Sequence, residues 1–415
     1  MVPNGWEKGV IEDIAKVSSG GTPSRQNDSF WLDGQIPWVT TTEVQFGIIN
    51  ETEQKITEEG LKNSSAKLFP KDTILMAMYG QGKTRGQVAK LGIEASTNQA
   101  CAALLLNDGF EVDYYYQYLV SQYENIRELA NSGGQQNLSA GIIKGIHVPI
   151  PPVAEQRKIA KILSTWDKAV STTERLIDNS KQQKKALMQQ LLTGKKRLLD
   201  DSGKPFEGEW EEVKLGDLSS KVTKGTTPST NGFSFQQDGI NFVKVESISS
   251  SGRFDRSKFA YIDNDCYESF KRSQLEKDDI LFSIAGALGR TALVDETILP
   301  ANTNQALAIV RLNRTRTVHR YIIYFLNSPR IASVIKGLTA KAAQPNLSLK
   351  DVNGLTILLP SLEEQEKIST ALFNADKEIE LLEQQLADLK QEKKALMQQL
   401  LTGKRRVKVD DEAVA

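Results

Sequence analysis

The chain has 415 residues, and its 52 Lys and Arg balance 52 Asp and Glu to a formal net charge of zero, with a pI near 6.8; that length suits two globular domains plus connecting elements, and the ordinary apolar and charged fractions exclude a disordered chain. No run of about 18 apolar residues is available to span a bilayer, and the opening MVPNGWEKGVIED lacks the apolar core of a secretion signal, so no membrane partner and a cytoplasmic location are expected. Neutral overall charge argues against DNA binding by bulk electrostatics and requires any nucleic-acid contact to be local or assisted.

In chain order, Trp6-Glu7 is followed by Gly-Gly-Thr-Pro-Ser at Gly20 to Ser24, and short β-branched runs then alternate with Gly, Pro, Asn and Ser turns. Ile36 to Thr42, Thr73 to Tyr79 and Ala100 to Leu106 read as strands, and Tyr114 to Leu129 fits a helix with aromatic anchors. A proline break at Pro149 to Pro152 resets the chain, and a helical segment runs from there to Gly194. Every landmark then returns in the same order. Trp210-Glu211 leads to Gly-Thr-Thr-Pro-Ser at Gly225 to Ser229, and Thr97-Asn98-Gln99-Ala100 is matched by Thr303-Asn304-Gln305-Ala306. Ile240 to Val245, Asp279 to Ile284 and Ala306 to Leu312 read as strands, and Arg320 to Ile335 as a helix. Pro360 precedes a second long helix to Gly403, with Ser361 and Glu364 in capping-box spacing. The run KKALMQQLLTGK occurs twice, at Lys184 to Lys195 and at Lys393 to Lys404. The offset between the copies drifts from about 204 to about 209 residues and is constant from Asn137 and Asn346 to the helix ends, which identifies a duplicated unit of roughly half the chain.

Each long helix spans about 41 residues, about 60 Å at about 1.5 Å per residue. In the first, Ile159, Leu163, Trp166, Val170, Thr173, Ile177, Ser180, Lys184, Leu187 and Leu191 step by alternating four and three. Ile368, Leu372, Ala375, Ile379, Leu382, Leu386, Leu389, Lys393, Leu396 and Leu400 do the same in the second. This heptad seam needs a partner, and the other helix is the available one. Two-fold symmetry between the halves requires the pair to be antiparallel. The polar positions Thr173, Ser180, Lys184 and Lys393 would set its register. The basic ends, Lys195-Lys196-Arg197 and Lys404-Arg405-Arg406, are read first as offsets to the helix dipole and second as a phosphate clamp.

The expected fold class is therefore α+β: two tandem, structurally similar α+β domains joined by two long helices that form an antiparallel coiled coil with internal pseudo-two-fold symmetry. The expected boundaries are 1–151 for the first domain, 152–198 for the central helix, 199–360 for the second domain with a linker at 199–209, 361–407 for the C-terminal helix and 408–415 for a tail.

Gly82-Lys83-Thr84 resembles the end of a phosphate-binding loop, but Ala77 stands where that motif needs its first glycine, and the equivalent Gly286 to Thr291 carries no Gly-Lys-Thr. Both halves do present cations on a turn after a buried strand. Lys83 and Arg85 in one half and Arg290 in the other are candidate contacts to a DNA backbone or guanine edge, a solvated hairpin being the alternative, and Gln81 and Lys244 are further candidates by their local chemistry. The shared Gly-x-Thr-Pro-Ser core reads as a structural turn. The residues after it, Arg25-Gln26-Asn27 against Thr230-Asn231, differ as expected of two units that read different sequences. Gln135, Gln136 and Gln344 are candidates for DNA contact or for support of the turn before the last strand. Cys101, Cys266, His147 and His319 have no counterparts under the repeat and no ligand spacing, so no metal site is expected. No nucleophile elbow, His-Glu-x-x-His, Gly-x-Gly-x-x-Gly or Asn/Asp-Pro-Pro-Tyr occurs, and a non-catalytic chain is expected.

The duplicated unit, the Gly-x-Thr-Pro turn, the proline breaks followed by Glu155-Gln156-Arg157-Lys158-Ile159 and Glu364-Gln365-Glu366-Lys367-Ile368, and the repeated helix ends together resemble the specificity subunit of type I restriction-modification systems over essentially the whole chain. The resemblance implies two target-recognition domains, each reading one half of a bipartite, gapped double-stranded DNA site. It implies that the helices set the spacer and dock two methylation subunits, with restriction subunits joining through them. S-adenosylmethionine, ATP and Mg²⁺ would then belong to the partner subunits, with no cofactor bound by this chain. The alternative reading from the residues is a two-headed coiled-coil scaffold for proteins, without DNA specificity.

Overall fold

The computed structural model describes residues 2–80, 83–129, 137–340 and 345–409. Its two compact units are not successive stretches of chain. The first comprises Met1–Arg175 with Gln384–Ala415, and the second Leu176–Glu383. Each therefore holds one globular region with part of both long helices.

In the first unit a five-stranded sheet runs in the order Ala15–Ser19, Cys101–Leu106, Ile74–Ala77, Val88–Leu91, Ile48–Ile49. A four-stranded sheet runs Gln54–Ile56, Ile36–Val39, Ala95–Thr97, Leu68–Phe69. Glu7–Val10 pairs antiparallel with His147–Ile150 at the foot of the long helix. The second unit has sheets in the orders Ser219–Lys224, Leu307–Leu312, Ile280–Ser283, Thr291–Leu293 and Ala260–Ile262, Ile240–Val243, Ala301–Thr303, with Glu211–Lys214 paired to Thr356–Leu359. The mixture of helix and sheet in each unit makes the fold α+β.

All six predicted strands form, trimmed at their ends. The two predicted medium-length helices each break in two. Val112–Ser121 and Tyr123–Leu129 are separated at Gln122. His319–Leu326 and Pro329–Thr339 are separated at Asn327-Ser328, where Ser328 caps the second helix and Pro329, lacking an N–H, fits only its first turn.

The long helices are Val153–Leu191 and Leu362–Leu400, and Gly194 and Gly403 follow them at φ of 69° and 70°, a left-handed stop that glycine adopts without strain. In the first unit Ile159, Leu163 and Leu400 are buried in one core with Tyr114, Leu119 and Met397. Trp166, Val170, Leu386, Leu389 and Leu396 are half-buried. Lys393 pairs with Asp167 at 2.5 Å and Lys390 with Glu174 at 2.7 Å, so the two helix segments of this unit run antiparallel. The second unit repeats the arrangement. Leu191, Ile368 and Leu372 share a core with Tyr321 and Phe325, Ile177 and Ile379 are buried, and Leu187 and Leu382 half-buried. There Lys184 pairs with Asp376 at 2.5 Å and Lys181 with Glu383 at 2.8 Å.

The Glu-Gln pair at each helix start closes the unit around it. Glu155 is buried and accepts from Arg406, Nε at 2.8 Å, and from the Trp6 indole at 3.3 Å. Glu364 accepts from Arg197, Nε at 2.6 Å and Nη2 at 2.8 Å, and from Trp210 at 3.1 Å. Gln156 donates to the Pro151 carbonyl and accepts from the Glu111 N–H; Gln365 donates to Pro360 and accepts from Val318. Two expectations are thereby corrected. Arg197 and Arg406 are ion-pair partners of buried carboxylates rather than members of a phosphate clamp. The capping box at Ser361 is half-formed: Ser361 accepts the Glu364 N–H at 3.3 Å, but the Glu364 carboxylate turns to Arg197.

Candidate nucleic-acid interface

The same turn is built in both units. In the first, the strand Ala15–Ser19 runs into the Gly-Gly-Thr-Pro-Ser turn, which lies directly on the end of the strand Ala95–Thr97. A Cβ on Gly20 would sit 1.9 Å from the Thr97 carbonyl oxygen, and one on Gly225 would sit 2.0 Å from that of Thr303, so only glycine permits the approach. The Gly21 N–H donates to Thr97 O at 2.8 Å and the Thr226 N–H to Thr303 O at 3.0 Å. Beneath, each threonine of the Thr-Asn-Gln-Ala motif is buried and donates to the neighbouring strand, Thr97 to Val39 O at 3.1 Å and Thr303 to Val243 O at 2.8 Å. Each asparagine caps its own turn, Asn98 accepting from Ala100 N–H and Asn304 from Ala306 N–H, both at 3.1 Å. Each glutamine is exposed, and its Oε1 accepts from the turn's threonine: Thr22 to Gln99, Thr227 to Gln305.

The predicted contact residues fall around this motif unevenly. Arg25 is exposed, stacks 3.7 Å from the Trp31 ring centroid and donates to Gln54 Oε1 at 2.6 Å, which holds a guanidinium rigidly at the surface. Gln26 is exposed beside it. Asn27 caps the short helix Asp28–Phe30 through Ser29, so its oxygen is engaged in the fold. Thr230 donates to Thr227 O at 2.6 Å, and Asn231 ends an exposed helical turn. Lys83 is exposed, with its carbonyl held by the Tyr123 hydroxyl, and Arg85 is half-buried with interactions of its own. Both lie on the hairpin that joins Ile74–Ala77 to Val88–Leu91, whose Met78 N–H donates to the Ala100 carbonyl at 2.8 Å, next in the chain to Gln99. Lys244 is 3.5 Å from Glu246 and lies over Phe235. Arg290 is half-buried and donates to Val245 O at 3.2 Å and Ile248 O at 2.6 Å. It staples two loops together, a correction to its expected role as an outward cation. Gln81, Gln135, Gln136 and Gln344 lie outside the described residues.

Sequence reasoning missed three features. In the sequence Gln99 and Gln305 stand only as markers of the repeat. Lys67 and Arg272, both exposed, lie beside the turns: Lys67 donates to Ser18 Oγ at 3.1 Å and Arg272 to Thr226 Oγ1 at 3.4 Å. The repeated Thr-Asn-Gln-Ala was the available signal for the glutamines; the cations had none, since they occupy different positions of the two halves.

Burial pushes the Cys101 thiol up to about 12 and raises that of Cys266, so neither is a thiolate at neutral pH. Among the described residues no group of three His, Cys, Asp or Glu is placed to hold a metal ion, and no helix is long and apolar enough to cross a membrane. Two α+β units each carry the same turn, its first glycine and its proline buried, with an exposed glutamine held by the turn's threonine, and this makes the chain a protein of two matched modules. The model of the type I restriction modification DNA specificity domain matches residues 3–180 and 207–391. The chain belongs to that family. It is 26% identical to the specificity subunit of the type I restriction enzyme MjaIX of Methanocaldococcus jannaschii, over 98% of this chain and 95% of the relative. It is 24% identical to the EcoKI specificity subunit of Escherichia coli, over 88% and 81%. The fold is similar to that of the S subunit of a type I system from M. genitalium, with a TM-score of 0.60 at 17% identity over 96% of both chains. It is also similar to a chain from a type I restriction-modification assembly, with a TM-score of 0.62 at 16% identity over 98% of this chain and all of the other.

Proposed function

We propose that this chain is the non-catalytic DNA-specificity subunit of a type I restriction-modification complex, with each globular region reading one half of a bipartite, gapped site. The observation that carries the reading is the recurrence, once per unit, of the same glycine-seated turn and threonine-held glutamine, followed by residues that differ. Paired modules of this kind read half-sites at a separation set by the protein.

The long helices serve as the spacer, pairing as an antiparallel coiled coil whose two halves are related by a pseudo-two-fold axis. Support comes from within each unit: the pairs Asp167–Lys393, Glu174–Lys390 and Glu155–Arg406 recur as Asp376–Lys184, Glu383–Lys181 and Glu364–Arg197. Every residue is shifted by about 209 positions and the helices exchange roles, as a two-fold relation demands. The same helices dock two methylation subunits, through which restriction subunits join. S-adenosylmethionine, ATP and Mg²⁺ are then used by those partners, which also supply phosphate contacts, so that this neutral chain need not supply them all. Mapping methylated adenines across the source genome with and without the gene tests this. Loss of one two-part motif on deletion is the expected result; binding of the purified chain and methylation subunit to random DNA with no sequence preference would refute it.

A further inference from the structure

In both units one exposed side-chain amide is only half engaged. The oxygen of Gln99 is held by Thr22 and that of Gln305 by Thr227, while neither Nε2 has a hydrogen-bond partner among the described residues. The mount is stiff. The turn bearing each threonine is seated by a glycine with no room for a Cβ, and the loop bearing each glutamine is pinned by its buried threonine and its asparagine cap. With its oxygen fixed, each amide offers its surroundings a donor.

That half-commitment decides what the glutamine can recognise. Reading adenine takes both ends of the amide, oxygen to N6 and nitrogen to N7; here one lone pair of the oxygen is taken by the threonine hydroxyl, which fixes the direction in which the amide points. The free NH₂, with two donors and no acceptor, suits phosphate oxygens, which accept regardless of sequence. An exposed cation stands near the turn in each unit, Lys67 in one and Arg272 in the other. The threonine–glutamine pair is identical in the two units, whereas Arg25-Gln26-Asn27 and Thr230-Asn231-Gly232 differ. A group retained by two readers of different half-sites contacts what those half-sites share.

We propose that Gln99 and Gln305, each oriented by its threonine, are sequence-neutral phosphate contacts that set the register of each unit on its half-site, with Lys67 and Arg272 supplying adjacent positive charge and base choice left to the residues that diverge. This rests on the reading of the chain as a DNA-specificity subunit. The test is therefore made on the full chain assembled with its methylation partner, in a host without other adenine methylation, using long-read detection of methylated sites. The purified assembly is then titrated over a range of salt with duplexes that contain or lack the motif. If the unaltered assembly yields no two-part motif, the parent reading fails, and the proposal with it. If it does, Gln99→Ala and Gln305→Ala should each weaken binding to both duplexes alike, roughly five- to ten-fold, and leave the motif unchanged. Thr22→Val and Thr227→Val should give a smaller loss, because the amide is then free to rotate. Gln99→Arg and Gln305→Arg should restore affinity with a steeper salt dependence, and they separate a lost contact from a disturbed fold. A changed base preference in one half-site, or unaltered affinity on both duplexes, overturns the proposal.

Discussion

Replacing Glu364 with alanine removes the carboxylate on which the second unit closes. The side chain is 1% exposed, and it gathers the Arg197 guanidinium and the Trp210 indole at 2.6 to 3.1 Å. Without it, a guanidinium only 23% exposed and an indole N–H lose their acceptor; deleting one partner of such a pair costs about 3–5 kcal/mol. In a unit of this size that corresponds to a fall of roughly 10 °C in the midpoint of its calorimetric transition. The double change Glu364→Leu with Arg197→Met removes both charges and should recover most of the loss, since a buried pair is often replaced by apolar side chains at little cost. Glu155→Ala should cost less, because its partner Arg406 is 41% exposed and water can take over part of its solvation. A fall of less than about 1 kcal/mol for Glu364→Ala, or a double variant no better than the single, would refute the view that this carboxylate holds the unit together.

Gly225→Ala should destabilise the second unit by about 1–3 kcal/mol in urea unfolding, because the new Cβ meets the backbone of Thr303 and Asn304 rather than a side chain that can move. A circular permutant opened between Asp200 and Gly203, with the present termini joined, should fold with a near-normal far-UV spectrum: Arg406 donates to the Asn4 carbonyl at 2.7 Å and Gly403 lies against Pro3 and Trp6, so segments close in sequence to the two ends are already in contact. His319 lies among Asp278, Asp279 and Arg314, and burial lowers its pKa below the usual histidine value. The unfolded chain thus takes up the proton first, and stability should be lost as pH falls below about 6.5 toward the folded pKa. His319→Gln should flatten the midpoint-versus-pH curve in that window; an unchanged slope would exclude His319 as its source.

Much of the molecule was legible because its signals are local. Heptad steps marked the two long helices, alternating apolar runs marked the six strands, and the glycines at positions 20 and 225 marked the turns. The apolar period continues across both Gln122 and Asn327, and at the second the cap at Ser328 and Pro329 opens a new helix that the period does not reveal. Arg290 looked like an outward cation because nothing nearby in sequence reveals that the carbonyls of Val245 and Ile248 lie within its reach. Duplication, helix length and family were determined by the sequence, since repeats, periodicity and turn chemistry act between residues a few positions apart. Which charges close the units and which amide oxygens are held could be decided only by the tertiary structure, because Glu155 meets Arg406 and Thr22 meets Gln99 through packing of segments far apart in the chain.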